Sequence, residues 1–309
     1  MNAWNHGEAL SFLINFSLDS LKIKKLAIHS KILREERPQV NVYLQAPRGS
    51  LKSTLLKEIG RHSAVPVITS ITFPALVGSI DKETKQLLPA SAWKCRNKPL
   101  LIDEWADNEN RREVVNALLQ LTEGGEFTRE LSRFVVPFES EKEELPLFFR
   151  AKDGRLSMRT RLSLVLATMH NLLRSSSMAI QALISRCIPY SFQLTKPEMR
   201  KIAEGEPFLR IKEKKNVKPE VTITRGTYAK LLDYAEGAGE SNYMRSLGDL
   251  CRCFAVYGWK PEYFDFILER QNAAEAQFLL AQAEWKTRLA NLDLSHRRQG
   301  KPDQPLEEV

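Results

Sequence analysis

The sequence predicts an α/β fold built on a mainly parallel sheet. Residues 40–45 are rich in β-branched and aromatic side chains, and they lead through a loop into an apolar-periodic segment from Ser53 to Ile59. Two further apolar runs, 98–102 and 162–167, follow along the chain. The second is apolar except at Ser163, as a strand covered on both faces of a parallel sheet should be. Strand, loop and helix followed by buried strands therefore indicate one open α/β sheet.

Length and composition set limits on the function. The 309 residues suffice for one sizeable α/β core and a smaller helical domain. The net charge of +8 and the pI near 9.3 favour an anionic partner, either nucleic acid or nucleotide. The four cysteines form no CxxC pair and the five histidines no HExxH run, which argues against a zinc site. No apolar stretch has the length of a signal peptide or membrane span, so we expect a cytoplasmic protein without a membrane partner.

The chain divides into four predicted regions. An AspGly turn between two extended runs predicts a β-hairpin inside the core. Apolar periodicity predicts helices near 225–236, 243–257 and 261–289. The regions are N-terminal helices at 1–38, a core at 39–204 with hairpin inserts near 77–90 and 145–161, a helical domain at 205–290 and a disordered tail at 291–309.

A phosphate-binding loop is predicted between the first core strand and its helix. Residues 46–54, AlaProArgGlySerLeuLysSerThr, follow the pattern G-x-x-x-x-G-K-[ST] in part, since Ala46 and Leu51 replace the outer glycines. Free N–H groups and the dipole at a helix start attract phosphate. Lys52 would reach the terminal phosphates, and the Ser53 hydroxyl would bind Mg²⁺. The predicted nucleotide contacts are Pro47, Arg48, Gly49, Ser50, Leu51, Lys52, Ser53 and Thr54.

Two adjacent carboxylates, Asp103 and Glu104, end the apolar run LeuLeuIle. Ligands of open α/β sheets bind at the carboxyl ends of the strands, so this pair should converge with the phosphate loop. Asp103 would hold Mg²⁺, and Glu104 would polarise the attacking water. The predicted cofactors are therefore ATP and Mg²⁺.

The loop ProArgGlySerLeuLysSerThrLeuLeuLys resembles that of the AAA+ motor domain in minichromosome maintenance (MCM) helicases and their mobile-element relatives. Those proteins carry alanine before the lysine, where Leu51 is a bulkier departure. Residues 77–86 resemble the family's helix-2 insert, with Lys85 in place of its turn glycine. The resemblance covers roughly residues 40–257. It implies an AAA+ P-loop core, an αβα sandwich with β-hairpin inserts, followed by a smaller C-terminal helical lid domain.

The same resemblance implies roles for three further residues. LeuIleSerArgCys at 183–187 is similar to the Leu-Ser-Arg-Phe box, which makes Arg186 an arginine finger for the neighbouring subunit's γ-phosphate. The segment 244–252 is similar to the lid-helix signature and gives Arg245 the sensor 2 role. Sensor 1 falls on Asn171 or on Thr168, with Asn171 ranked first. Because a finger acts on another subunit, the resemblance implies a homo-oligomer in the form of a hexameric ring.

The resemblance also implies that two hairpins hold the DNA backbone, and cations on narrow tips suit such contacts, which are salt-sensitive and independent of base sequence. The resemblance thus implies a ring-forming ATPase that moves along or unwinds DNA in replication of a mobile element or virus, with replication proteins as further partners. One alternative is an ATP-dependent loader or adaptor switch without helicase activity, and the second is a degenerate P-loop DNA-binding protein. The basic residues concerned are Lys82 and Lys85 in the first insert, Lys152 and Arg155 at the second tip, and Arg159 and Arg161 on its returning strand.

Overall fold

The computed structural model describes residues 4–31, 35–36, 38–80, 87–88, 90–105, 112–123, 126–130, 149–152, 155–175, 177–237 and 243–299. The helices are α1 (His6–Ser20), α2 (Lys52–Ser63), α3 (Phe73–Val77), α4 (Ser91–Lys94), α5 (Arg112–Glu123), α6 (Met178–Ile184), α7 (Lys196–Ala203), α8 (Arg225–Glu236), α9 (Tyr243–Tyr257) and α10 (Pro261–Gln299). The strands are β1 (Lys25–Ile28), β2 (Glu35–Glu36), β3 (Asn41–Gln45), β4 (Val67–Ile68), β5 (Ser79–Ile80), β6 (Leu87–Leu88), β7 (Pro99–Asp103), β8 (Glu126–Glu130), β9 (Phe149–Lys152), β10 (Arg155–Arg159), β11 (Ser163–Thr168), β12 (Cys187–Ser191) and β13 (Glu220–Ile223).

Five parallel strands form the central sheet, in the order β12-β3-β11-β7-β4. Every residue of β7 and β11 is buried, so both faces of these strands are covered. This explains why their sequences are continuous apolar runs rather than alternating patterns. The predicted α/β fold with a mainly parallel sheet is confirmed. The order also places β11 between the strand that precedes the predicted phosphate loop and the strand that ends in the two carboxylates.

Helices pack directly on this sheet and share its core. α2 lies against β4, β7 and β11, α1 against β3, and α10 against β12. Gly60 lets α2 approach closely, because a Cβ there would lie 2.8 Å from the Val65 carbonyl oxygen and 3.4 Å from Leu101 Cδ1. Buried apolar side chains of α1, α9 and α10 belong to the same cluster as those of the sheet. The C-terminal helices are therefore continuous with the core in their packing.

Both predicted hairpin inserts contain antiparallel strand pairs. β5 pairs with β6 on either side of residues 81–86, and β9 pairs with β10. A third strand that the sequence did not reveal, β8, pairs with the other edge of β10. Its Phe127 is buried against Phe73, with ring centroids 5.7 Å apart. The second insert is thus a three-stranded sheet anchored by an aromatic contact.

The prediction of N-terminal helices at 1–38 is correct for α1 but wrong for β1. Leu26 and Ile28 are buried and alternate with more exposed neighbours, which is the period of a strand. β1 pairs in parallel with β13 and antiparallel with β2. The backbone N–H groups of Lys24 and Lys25 donate to Pro219 O at 2.6 and 3.1 Å, which fixes the start of this pairing. A distant partner strand therefore overrides the weak helical periodicity of this segment.

An extended linker connects α7 to β13 and runs along α1. Four residues of helix and two residues of extended chain both advance by about 6–7 Å, so alternate linker N–H groups can meet helix side chains four positions apart. The bonds are Arg210 N to Ser11 Oγ at 3.0 Å, Lys212 N to Asn15 Oδ1 at 2.8 Å and Lys214 N to Asp19 Oδ1 at 2.9 Å.

The three C-terminal helices lie where the sequence predicted them, as α8, α9 and α10. α10 differs at its end, because it continues to Gln299 and so enters the segment 291–309 that was predicted as a disordered tail. Residues 300–309 lie outside the described residues. Within the described part of the chain, no helix is both long enough and apolar enough to traverse a lipid bilayer.

Candidate functional site

A tight turn leads from β3 into α2. Ala46 N donates to Thr168 O at 3.2 Å, which ties the start of the loop to β11. Ser50 N then donates to Pro47 O at 3.3 Å and closes a turn around Gly49, whose φ is 81°. No atom lies within 4 Å of the place that a Cβ would take at Gly49, so glycine is needed there for backbone conformation and not for space. Of the predicted contacts, Pro47, Arg48, Gly49 and Thr54 are exposed, Leu51 and Ser53 are half-buried, and Ser50 and Lys52 are buried.

The first turn of α2 receives no side-chain cap. Its N-cap residue, Leu51, adopts left-handed backbone angles (φ 59°, ψ 18°) and has no side-chain acceptor. The first N–H groups of a helix have no partner within the helix, and an uncapped start is a site for an anion. α2 is unusual in this respect, because five other helices carry side-chain caps, at Asn5, Thr72, Ser177, Thr195 and Thr224.

The amine of Lys52 is held beneath this loop. Its side chain is 4% exposed, and Nζ donates to Ala46 O at 2.6 Å and to Pro47 O at 2.9 Å. An ammonium group has three protons, so these two bonds leave one for an incoming phosphate oxygen. The loop carbonyls therefore hold a buried positive charge next to the uncapped helix start.

The two predicted carboxylates face different environments. Asp103 ends β7, is 4% exposed and has a buried Oδ1 without a hydrogen-bond partner. Glu104 is exposed and has a left-handed φ of 54°, which turns the chain so that Trp105 returns to the core. Trp105 N donates to Ala167 O at 3.4 Å and fixes this turn against β11. One acid thus lies inside the sheet edge and the next points to solvent.

The two motifs meet at the same edge of the sheet. β3 and β7 both run parallel to β11, with Gln45 opposite Thr168 and Asp103 opposite Ala167. Two strand spacings separate the ends of β3 and β7, which amounts to about 10 Å. This span suits a phosphate chain with a metal ion between Lys52 and Asp103. The predicted convergence of the loop and the acid pair therefore agrees with the strand arrangement.

The two candidates for sensor 1 already have partners. Thr168 is fully buried, and its Oγ1 donates to Trp105 O at 2.9 Å and accepts from His170 N at 3.1 Å. Asn171 donates from Nδ2 to Gln277 Oε1 at 3.0 Å and accepts the N–H of Leu173 at its Oδ1, at 3.2 Å. Both assignments stay predictions. His170, which no sequence motif indicates, is exposed just beyond the end of β11, the strand between the two motifs.

Arg186 lies at the opposite edge of the sheet from Lys52. It directly precedes β12, whose first residue, Cys187, is opposite Asn41 at the amino end of β3. Four residues of strand separate the two edges by about 13 Å. The Arg186 guanidinium donates to Ala182 O at 2.8 Å and to Glu123 Oε2 at 2.7 Å. Arg186 is therefore placed away from the phosphate loop of its own chain.

Arg245 lies beside Arg186 in the structure. Its Nη1 is 3.5 Å from Ser185 Oγ, and the serine directly precedes Arg186. Burial lowers the pKa of the Arg245 guanidinium, with Asp249 one turn along α9 acting in the opposite direction. The predicted finger and sensor 2 arginines thus form one cluster at the amino edge of the sheet, and not at the edge that holds Lys52 and Asp103.

The predicted DNA contacts are described only in part. Lys82 and Lys85 lie outside the described residues, between the paired strands β5 and β6. Lys152 and Arg155 are opposite one another in the backbone register of β9 and β10, at the end of the hairpin. Arg161 has a different role from the one predicted, because its guanidinium donates to the carbonyl oxygens of Leu21 and Ile23. It holds the N-terminal segment in place.

The described residues offer no group of three or more His, Cys, Asp or Glu side chains that could hold a metal ion. This composition still fits Mg²⁺, which is usually bound by one or two protein ligands together with phosphate oxygens and water. All four cysteines are buried as free thiols, and burial raises the pKa of Cys95 to about 11. No protein-family model matches the chain, and no curated protein matches its sequence.

Proposed function

We propose that the chain is an AAA+ type ATP hydrolase, similar to MCM motor domains, which assembles into a ring and couples ATP turnover to movement along or unwinding of DNA. One observation carries the proposal. The Lys52 amine, an uncapped helix start and the partnerless oxygen of Asp103 lie at the same edge of a parallel sheet. A positive charge, free N–H groups and a metal-binding oxygen are what a nucleoside triphosphate with Mg²⁺ requires.

The residues would share the chemistry as follows. Lys52 and the first turn of α2 would bind the terminal phosphates, and Ser53 with Asp103 would hold Mg²⁺, which neutralises charge on those phosphates. Exposed Glu104 would orient the attacking water and accept its proton. Asn171 or Thr168 would complete the water's hydrogen bonds. His170 is a further candidate for this role because of its exposed place beyond β11.

The position of the arginines supports the proposed assembly. Arg186 and Arg245 are grouped at the edge of the sheet remote from Lys52. Phosphoryl transfer gains from an arginine supplied to the developing charge, and a neighbouring subunit can supply it in trans. A ring, as in the hexamers of the family it resembles, would place these arginines of one copy against the phosphate loop of the next.

ATP turnover tests the proposal directly. Lys52→Ala, Glu104→Gln and Arg186→Ala should each abolish turnover measured with and without DNA. Lys57→Ala is the matched control, because Lys57 is an exposed lysine on the same helix. Mixing Arg186→Ala with Glu104→Gln should partly restore activity, since mixed neighbours combine one intact catalytic face with one intact arginine. Undiminished turnover by Lys52→Ala would rule out this site.

A strand-displacement assay separates the motor from the loader or adaptor switch. ATP-dependent unwinding supports the motor, whereas nucleotide-dependent assembly on DNA without unwinding supports the switch. The degenerate P-loop alternative has one specific observation in its favour, the bulk of the Leu51 side chain where the loop pattern has glycine. Absence of turnover in the wild type, with DNA binding retained, would favour that alternative.

A further inference from the structure

Four segments of the chain contribute an unusual concentration of positive charge, and we refer to them together as the basic face. They contain eleven lysine and arginine residues and a single acid, Glu213. Their excess of ten positive charges is larger than the net charge of +8 of the whole protein. The remainder of the chain is therefore slightly acidic, and the basic pI originates on this face. The segments are residues 21–25, 61–64, 94–98 and 212–219.

Direct contacts join the first of these segments to the linker. The N–H groups of Lys24 and Lys25 donate to Pro219 O, and Lys22 Nζ donates to Lys214 O at 2.9 Å. Glu213, the one acid, is already neutralised, because its carboxylate is 2.7 Å from Lys22 Nζ and contacts a histidine of the neighbouring segment. Lys22 thus faces two acids, Glu213 and also Asp19 at 2.8 Å, whereas Lys24, Lys215 and Lys218 are exposed to solvent.

The other two segments, 61–64 and 94–98, contact the first two and each other. His62 Nε2, at the end of α2, is 2.6 Å from Glu213, and Lys98 Nζ donates to Ala64 O at 3.3 Å. Asn97 N donates to Arg161 O at 2.6 Å, and the Arg161 guanidinium bonds to the loop at 21–23. The four segments are thus neighbours in space as well as similar in charge.

The basic face lies at the amino edge of the sheet. Lys98 directly precedes β7 and Arg161 shortly precedes β11, whereas Asp103 ends β7 at the other edge. The face is therefore separate from the phosphate loop. It is also formed by residues other than the hairpin-tip cations Lys152 and Arg155.

We propose that the basic face binds the phosphate backbone of nucleic acid, as a site additional to the two hairpins and independent of ATP. Its exposed lysines, among them Lys24, Lys215 and Lys218, present mobile point charges suited to phosphates and not to particular bases. An anionic membrane is the less suitable partner, because surface helices that bind lipid also insert apolar side chains. The large exposed apolar side chains of the described residues all lie outside the four segments.

A charge-neutralised variant tests this site without nucleotide present. The full chain carrying Lys24→Gln, Lys215→Gln and Lys218→Gln is titrated against fluorescent duplex DNA and its single strand over a range of salt concentrations. Loss of three phosphate contacts should make the slope of log K against log salt less negative by roughly 2–3, and weaken binding on the order of a hundredfold at low salt. Thermal melting should be unchanged, because all three side chains are exposed.

The matched control removes the same charge elsewhere, with Lys196→Gln, Lys230→Gln and Lys286→Gln, three exposed lysines on helices outside the face. It should bind DNA with nearly the wild-type slope. Equal losses in the two triple variants would overturn the proposal, since total charge and not this face would then determine binding. So would a wild type that does not bind either oligonucleotide, or one that binds vesicles of phosphatidylserine and phosphatidylcholine in preference to DNA.

Discussion

Without ligand, the Asp103→Asn variant should be more stable than the wild type. With nucleotide and Mg²⁺ bound, the same variant should be less stable than the wild type. Asp103 is 4% exposed, and its buried Oδ1 has no hydrogen-bond partner. A buried acceptor without a partner costs about 1–3 kcal/mol, and more when it carries charge. The neutral amide removes the charge while keeping the shape. Because the amide still buries a polar group, it recovers only the part of this cost that the charge adds, and we expect Asp103→Asn to raise the free energy of unfolding by about 1 kcal/mol in the absence of nucleotide.

Bound nucleotide should make the wild type more stable than the Asp103→Asn variant. A ligand at a hundred times its dissociation constant stabilises the native state by about 2.7 kcal/mol. The wild type should gain this amount from Mg²⁺ and a non-hydrolysable ATP analogue, whereas Asp103→Asn loses the metal ligand and should gain much less. Thermal unfolding measured with and without the analogue would show the two melting temperatures crossing. A shift of 1 kcal/mol corresponds to roughly 2–4 °C for proteins of about 150–250 residues, and to slightly less for this chain of 309 residues.

Asp249→Asn is a control that should lower the free energy of unfolding, whereas Asp103→Asn should raise it. Asp249 is 3% exposed, but its oxygens accept from Arg252 Nη1 at 2.6 Å and Gln271 Nε2 at 2.7 Å. Asp249→Asn removes the charge that accepts these two hydrogen bonds, one of them from half-buried Arg252, and should cost about 1.5–3 kcal/mol. If Asp103→Asn also destabilised the free protein, the carboxylate would have partners that contradict the reasoning. Equal stabilisation of both proteins by the analogue would remove Asp103 from the metal site.

Three further predictions concern stability. Arg161→Gln should lower the free energy of unfolding in urea by about 2–4 kcal/mol, because two hydrogen bonds from a charged donor to Leu21 O and Ile23 O are lost, whereas the same change at exposed Arg174 should have little effect. Gly60→Ala should cost about 1–3 kcal/mol, since its Cβ would lie 2.8 Å from a carbonyl oxygen; an unchanged midpoint would show that α2 can shift. Glu213→Gln should cost about 0.2–1 kcal/mol at neutral pH. Burial would raise the pKa of Glu213, but its hydrogen bonds to Lys22 and His62 outweigh burial and lower the pKa below the ordinary 4.5, so this contribution is present above pH 4.5 and lost as the pH falls through the lowered value. A difference between wild type and Glu213→Gln that persisted in strong acid would contradict it.

The sequence predicts those parts of the fold that local pattern determines. Residues 163–168 are apolar because both faces of β11 are covered, and an AspGly turn with flanking extended runs indicates the β9–β10 hairpin. β1 and β8 were missed because each is short and is fixed by a partner remote in sequence. Pairing with a distant strand leaves no local signal when only two or three side chains are buried.

In the candidate site, too, the sequence predicts what depends on local pattern and misses what depends on distant parts of the chain. Lys52 and Asp103 were recognisable because their chemistry requires a strand end or a helix start nearby. The sequence could not reveal that Arg186 and Arg245 share the opposite edge of the sheet, since that depends on the strand order. It also gave Arg161 a DNA-binding role, although the side chain holds two carbonyl groups of the N-terminal segment. An arginine's sequence position does not distinguish a solvent-facing cation from an internal donor.

Leu51 stands where the phosphate-loop pattern has glycine. The sequence pattern alone does not show whether the loop keeps its backbone conformation after this substitution. Four described residues other than glycine have positive φ. Ala64 ends a helix, and Asn97 belongs to a residue type that tolerates this region. The other two, Leu51 and Glu104, lie in the two halves of the candidate site. A left-handed residue with a Cβ costs roughly 1–2 kcal/mol, so it persists only where the surrounding structure imposes it. Leu51 therefore retains the backbone shape that glycine would adopt in the loop pattern. N–H groups and carbonyls, not the side chain at this position, would form the proposed phosphate cradle. The loss of glycine therefore changes the bulk beside the proposed cradle but not its backbone geometry, which favours a functional loop over a degenerate one.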